Sequence, residues 1–486
     1  MVQSPNTDSR GSVIAILGVP FDVVTLEDTV NRIRGMIASK RPHYLATANV
    51  DFLVQAREDV ELMRILFEAH LVLCDGTPLI WAARWLGGSL PERVAGSDLV
   101  PRLLAESKQS GWRVFFLGGT AESVRAAEIN TRSKYPGIQL VGAYSPPFKP
   151  LLEMDHADIT ARIKAAAPDI LFVAFGCPKQ EKWISMHYRN LGVPVCVGVG
   201  ATIDFLAGTF KRAPEWMQRT GTEWIFRMLQ EPKRLAKRYF KDAWVFGGCL
   251  LRQLLLIKRH RRLAQGPPRV LVETSLPDFS LVQAPQRMDA EAARLGLDSW
   301  DKSVAEASTV FNLSDTRFID STGVGALIRL HRTSRESGHS LVLVCPPGNV
   351  RQALDSMKMS SLFTLTDSLT DAGLQVRKKT ASSNGSGFHS TGAQTMAWEG
   401  EITAGNAAEI LASAVARFET LPEDSHITID LSRVRFVDSS GVGLMLTLKK
   451  RAWRRGCIVR FDRPSQPVLN VLRVTKLEAF LTGVIS

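Results

Sequence analysis

The sequence predicts an α/β fold in three units: one large domain on a largely parallel sheet, then two small α/β domains. Three observations carry this prediction. Short apolar, β-rich runs alternate with helical patterns through the first half: HYLATANV, VELMRILFEA, HLVLCDG, VFFLGG, AESVRAAEINTRSKY, IQLVGAY, ITARIKAAA, DILFVAFG and VCVGVG. Such continuous apolar strands between helices belong to a parallel sheet buried on both faces. Next, LSDTRFIDSTGVGALIRL (313–330) aligns without a gap to LSRVRFVDSSGVGLMLTL (431–448), an offset of 118 residues, so one small fold is used twice. Finally, Leu263-Ala264-Gln265-Gly266-Pro267-Pro268 stops helical structure where the character of the chain changes.

Taken in order, residues 1–12 are polar and read as a disordered tail, with no secretory pattern. Residues 13–262 form the large domain. Its strands end in small or polar residues where helices begin, at Cys74-Asp75-Gly76, Gly118-Gly119-Thr120, Gly176-Cys177-Pro178 and Gly198-Val199-Gly200. In Rossmann-like sheets ligands gather at those ends. The first small copy runs over 269–377 and is the more divergent, with Asn312 where the second has Asp430. Residues 378–395, rich in Gly, Ser and Thr, read as a flexible linker, and 396–486 as the second copy.

At 486 residues, 45% hydrophobic and 22% charged, the chain is long enough for several cores. Six scattered cysteines give neither zinc spacing nor a disulfide framework, which fits a reducing cytoplasm. The net charge of +12 is concentrated: residues 227–262 hold eleven Lys and Arg against Glu231 and Asp242, a local +9. Within them AWVFGGCLLRQLLLI (243–257) is apolar but, at 15 residues, shorter than the roughly 20 that span a bilayer. An interfacial helix on anionic lipid is the functional reading, and a helix docked on its own domain or in an oligomer the structural one. Nucleic acid is excluded, because no recognition motif or aromatic platform accompanies the charge.

Asp75 follows an apolar strand and precedes Gly76, so it is either a base at the sheet's edge or a turn or helix-capping residue. To act as a base near neutrality it needs desolvation, since an ordinary Asp titrates near 3.9. Gly118-Gly119-Thr120 before a helix reads as a phosphate cradle or a tight turn. No Asp-x-Asp motif or metal-spaced His/Asp cluster occurs in residues 1–262, and no metal or cofactor is expected.

Seven blocks in order, TANVDFLVQAR, AHLVLCDGTPLIWAARWLGG, ERVAGSDLVPRLL, FFLGG, LFVAFGCPKQEKWI, VGVGATIDFLAGTFKRAPEWMQ and EWIFRMLQEPKRLAKRY, make residues 13–242 similar to the WecG/TagA/CpsF glycosyltransferases. The resemblance implies inverting, metal-independent transfer from a nucleotide-sugar to a polyprenyl-diphosphate-linked acceptor in cell-envelope or exopolysaccharide synthesis. It implies Asp75 as general base, with Thr47 and Asn49 lining the pocket, and Gln180 and Arg93 meeting substrate. Their alternatives are a turn residue for Asn49, a helix-surface residue for Gln180 and a salt-bridge partner for Arg93. A basic appendage (about 225–262) at the membrane brings Arg227, Arg234 and Arg238 over the site, with Lys237 beside them. UDP-N-acetylmannosamine and UDP-glucose are both donors within the family, and Asp75-Gly76-Thr77-Pro78 resembles its exopolysaccharide branch.

In each small copy an apolar strand leads through Asp-Ser-Thr/Ser-Gly into an apolar helix, placing Ser321 and Ser439 at a helix start. The residue types suit capping there, and equally a phosphoserine held by the helix dipole. The copies resemble STAS domains, modules of anti-sigma-factor antagonists. That resemblance implies Ser439 and Ser321 as phosphorylation sites for a protein kinase, beside Asp438 and Asp320, and an anti-sigma-type partner. The expectation is thus an enzyme on the inner face of the cell membrane, peripherally attached. The alternative is a regulatory binding protein whose large domain only senses ligand.

Overall fold

The computed structural model describes residues 12–209, 213–214, 216–217, 222–261, 271–276, 279–381, 388–390, 395–419, 426–453, 458–475 and 477–482. A short antiparallel hairpin comes first, β1 (Val13–Ile16) and β2 (Val19–Asp22). There follow α1 (Leu26–Ser39), β3 (His43–Ala48), α2 (Val50–Ala56), α3 (Val60–Glu68), β4 (Leu71–Cys74), α4 (Thr77–Trp85), α5 (Gly96–Ser110), β5 (Arg113–Gly118) and α6 (Ala121–Lys134). The domain continues with β6 (Gln139–Tyr144), α7 (His156–Ala166), β7 (Ile170–Ala174), α8 (Lys179–His187), β8 (Val195–Gly198), α9 (Thr202–Ala207), α10 (Glu223–Gln230) and α11 (Pro232–Arg261). Its six strands pair in parallel in the order β4-β3-β8-β7-β5-β6. The central strands are buried on both sides, and separate apolar clusters fill the two faces: Leu53, Leu66, Leu171 and Trp183 on one, Ile33, Leu103, Phe116 and Phe172 on the other. That is why LVLC, ILFVA and VCVG read as unbroken apolar runs.

The apolar stretch 243–257 is not a separate short helix. It is the continuation of the 30-residue α11, which Pro232 opens and the Gly247-Gly248 pair does not break. One side of α11 packs Val245, Phe246, Cys249, Leu250, Leu254 and Ile257 into the large domain's core. The docked helix is therefore observed.

The first small domain contains β9 (Leu271–Leu276), β10 (Phe279–Gln283), β11 (Arg287–Met288), α12 (Ala290–Glu306), β12 (Thr309–Asn312), β13 (Phe318–Ile319), α13 (Ser321–Glu336), β14 (Leu341–Val344), α14 (Asn349–Ser356), β15 (Leu365–Thr366) and α15 (Leu369–Ala381). The second has β16 (Phe388–Ser390), β17 (Thr395–Ile402), α16 (Ala407–Glu419), β18 (His426–Val437), α17 (Ser439–Trp453), β19 (Ile458–Asp462), α18 (Gln466–Val474) and α19 (Glu478–Thr482). The segment expected as a tether carries regular structure at both ends: α15 runs to Ala381, and β16 pairs antiparallel with β17. The early strands of the first copy, weak in the sequence, pair as β9-β10-β12, matching β16-β17-β18 of the second.

The hairpin joins the large domain to the first small one. A Cβ on Gly325 of α13 would stand 1.8 Å from the Val13 carbonyl oxygen, so the absence of a side chain lets helix and hairpin touch. Beside this contact Arg332 donates to Asp22 (3.2 Å) and to the Phe67 carbonyl (3.2 Å), both charges being buried.

Candidate active site

The ends of all six strands of the large sheet, together with α10 and α11, converge on a cavity of about 1200 Å³. The volume lies above the several hundred Å³ of an ordinary single-ligand pocket. Thr47, Asn49, Asp75, Arg93, Gln180, Arg227 and Arg238, seven residues expected from the sequence, all line it. Arg234 belongs to α11, but its side chain lies outside the described residues.

Asp75 sits where β4 ends, its N–H donating to the Ala48 carbonyl (2.9 Å). It does not cap α4, whose cap position is Gly76 with no side-chain hydrogen bond. Burial raises its carboxyl to about 6; Arg93 and Arg227 oppose that rise, while Glu223 and Asp98 reinforce it. Desolvation therefore supplies what a base near neutrality needs, a carboxylate still ionised at pH 7 yet far more basic than a solvated one.

The other expected residues divide by what their side chains already hold. Arg93 is both pocket wall and ion-pair partner, bound to Glu223 (2.5 Å) across from α10 and to Asp98 (2.9 Å). Asn49 caps α2, its Oδ1 accepting from the N–H groups of Asp51 and Phe52, and Thr47 donates to the Gly198 carbonyl (2.9 Å). Arg227 stacks 5.2 Å from the Phe205 ring centroid, and Arg238 lies 3.9 Å from Asp51. These two bring positive charge to the cavity from α10 and α11. Arg238 rather than Lys237 faces it, which supplies the planar donor fork that a lysine lacks.

Gln180 is not a helix-surface residue: it is 1% exposed. Its Oε1 accepts from Gly176 N–H (3.2 Å) and Gly200 N–H (3.1 Å), tying together the loops after β7 and β8. Its Nε2 donates to the fully buried Glu181 (2.7 Å), which fixes which end of the amide faces the loops. Burial lifts the Glu181 carboxyl to about 7, against hydrogen bonds that lower it. A Cβ on Gly198 would come within 2.9 Å of both side chains, so the bare strand end makes room for the pair.

Sequence reasoning missed Asp204, in the ATIDF run, which lines the cavity beside Phe205. It also missed the aromatic wall of Trp81, Phe148, Trp224, Tyr239 and Phe246. Asp204 had a signal, a lone acid one turn after Gly198-Val199-Gly200. The Gly-Gly-Thr segment is turn and cavity wall at once: Gly118 (φ +102°) and Gly119 (φ +79°) adopt the left-handed conformation, while Gly119 and Thr120 line the cavity. Among the described residues no group of three or more His, Cys, Asp or Glu is placed to hold a metal ion. Among them also no helix is long and apolar enough to cross a membrane.

Ser321 and Ser439 are both buried against the large domain. Ser321 Oγ accepts from Gln253 Nε2 of α11 (2.9 Å), and Ser439 Oγ donates to Glu61 of α3 (2.8 Å). In this arrangement neither hydroxyl faces solvent.

Comparison with known proteins accords with this division. A family model described as "Glycosyl transferase WecG/TagA/CpsF family" matches residues 14–260, just over half of the chain. A STAS domain model matches 273–372, and one described as "Mlab, STAS domain" matches 387–483. Similar curated proteins include the N-acetylglucosaminyldiphosphoundecaprenol N-acetyl-beta-D-mannosaminyltransferases of Staphylococcus aureus strains MW2 and NCTC 8325. Each is 30% identical over 231 residues, 47% of this chain and 89% of the relative. The one from strain MRSA252 is 29% identical over the same length.

Proposed function

The chain belongs to the WecG/TagA/CpsF glycosyl transferase family and carries two STAS domains, and from that membership we propose that it transfers a sugar from a UDP-sugar to a polyprenyl-diphosphate-linked acceptor in cell-envelope synthesis. The observation that carries the reading is the single cavity in which a desolvated Asp75 meets the arginines of α10 and α11. The Asp75 carboxylate takes the proton of the acceptor hydroxyl, and the freed oxygen attacks the anomeric carbon. The bond from that carbon to the nucleoside diphosphate breaks, with inversion. Arg227, Arg238 and Arg234 supply the positive charge that receives the leaving diphosphate, without a metal ion. UDP-N-acetylmannosamine, the donor type that the relatives' name suggests, is the first to try, with UDP-glucose beside it.

The acceptor's lipid sets where this happens. Phe240, Trp244, Leu251 and Leu255 are each more than half exposed and fall within about 60° of one another around α11, opposite its core-packed side. Arg252, Lys258 and Arg259 accompany them. This stripe suits the headgroup region of an anionic membrane and supports peripheral attachment at the inner face of the membrane. Incubating the full chain with UDP-sugars and a short-chain polyprenyl-diphosphate-linked acceptor tests the proposal. UDP release that depends on the acceptor is expected, and its absence with every donor would overturn it.

A further inference from the structure

The second STAS domain is bound to the transferase through three contacts that share a side. At the start of α17 the Ser439 N–H donates to Glu61 Oε1 (2.5 Å) and the Ser439 hydroxyl to Glu61 Oε2 (2.8 Å). Asp438 is turned back on its own domain, accepting from Gly441 (2.9 Å) and Ala404 (2.9 Å). Glu61 is 2% exposed, and Lys182 of α8 compensates its charge at 2.9 Å while also bridging Asp59 at 2.7 Å. One turn along α3, Arg64 pairs with Glu401 (2.5 Å) and lies 4.2 Å over the Phe436 ring. The third contact is apolar: Leu152 packs on the second domain's core, its Cδ2 facing the bare position of Gly443.

Two residues at these contacts, Lys182 beside Glu61 and Leu152, belong to segments that line the cavity without lining it themselves. Lys182 lies on the helix whose first turn contributes Lys179 and Gln180 to the lining. Leu152 lies in residues 145–154, from which Ser145, Pro146, Pro147, Phe148 and Met154 line it. This segment carries little regular structure of its own beyond one short turn, so it depends on what it packs against. The first STAS domain meets the other end of α3, where Arg335 pairs with Glu68 (3.0 Å) and Arg332 donates to the Phe67 carbonyl (3.2 Å), and it is held besides by the neutral Ser321–Gln253 contact and the Arg332–Asp22 pair on the hairpin.

We propose that the second STAS domain is an internal brace of the transferase: its α17 start grips Glu61, and in doing so it holds α8 and residues 145–154 in the shape that binds the nucleotide. The proposal rests on the transferase reading for what the cavity binds, but not for the docking itself. Releasing the domain lets the 145–154 wall move and weakens nucleotide binding, so anything that competes for the start of α17 tunes the enzyme through the same wall.

The full chain tests this with Glu401→Arg, which opposes Arg64, with Ser439→Asp, which opposes Glu61, and with the swap Arg64→Glu/Glu401→Arg. Hydrogen exchange is followed by mass spectrometry in residues 57–66 and 145–154, and UDP affinity by calorimetry. Each single variant is expected to speed exchange in both segments and to weaken UDP binding about fivefold, the lower end of ordinary coupling between sites, and the swap, which still forfeits the Arg64–Glu68 pair (2.9 Å) and the Phe436 contact, to restore part of each. Unchanged exchange at 57–66 in both single variants would overturn the docking. Faster exchange there with 145–154 unmoved would overturn the brace. If the wild-type chain bound no UDP, the transferase reading would fall, while exchange at 145–154 would still decide the brace.

Discussion

Asp75 illustrates how a residue's surroundings decide its chemistry. In water its carboxylate is a poor base, and in the cavity it titrates near 6 because burial outweighs the nearby arginines. A base acts when deprotonated, so kcat/KM is expected to rise with pH up to about 6 and then level, a limb that Asp75→Asn removes. A profile flat across roughly pH 5 to 8 would exclude the assignment. Gln180 and Glu181 make a second case. The sequence marked Gln180 as a substrate contact; it lines the cavity, and both ends of its amide also hold protein groups, so it ties two loops together and Glu181 orients it. Glu181→Gln offers that amide an ambiguous partner, and turnover is expected to fall about tenfold while melting stays near wild type. A variant with full turnover would show that the loops need no such lock. Neither the Gly200 contact, twenty residues from Gln180, nor the cavity position of Asp204 carries a periodic signal, which is why family blocks located the site better than its internal wiring.

At the scale of elements, α11 combines two roles on two sides. Its buried side was legible as apolar sequence, but its length was not, because the basic turns that begin the same helix read as a charged segment distinct from the apolar run. The stripe of Phe240, Trp244, Leu251 and Leu255 has no intramolecular duty in the core. Trp244→Glu with Phe240→Glu is therefore expected to abolish flotation with anionic phosphatidylglycerol vesicles while UDP affinity in solution is unchanged. Flotation equal to wild type would remove the membrane role from this helix. The parallel sheet, by contrast, was readable throughout, since its strands are buried on both faces and leave unbroken apolar runs.

Across the whole molecule, the domains interlock more than their sequence suggests. The repeat with its offset of 118 residues announced two copies of one fold, and the chain does contain two. What remained hidden was that each copy turns its Asp-Ser helix start toward the transferase, because charge pairs such as Arg332–Asp22 join residues about three hundred positions apart. Arg332→Ala leaves Asp22 buried beneath the first STAS domain with, among the described residues, Arg32 (3.8 Å) as its one remaining ion-pair partner, and is expected to cost about 3–5 kcal/mol of stability, read from denaturant unfolding. A loss below about 1 kcal/mol would mean that the junction is not held by this pair.

The central claim, that Asp75 performs the chemistry in a cavity built to hold UDP-sugar and lipid acceptor, is tested most directly by single-turnover transfer in Asp75→Asn beside wild type, with UDP affinity measured on the same samples. The expected result is a transfer rate lowered at least about a hundredfold with UDP affinity within about twofold, as for loss of a general base. Transfer at the wild-type rate would contradict it.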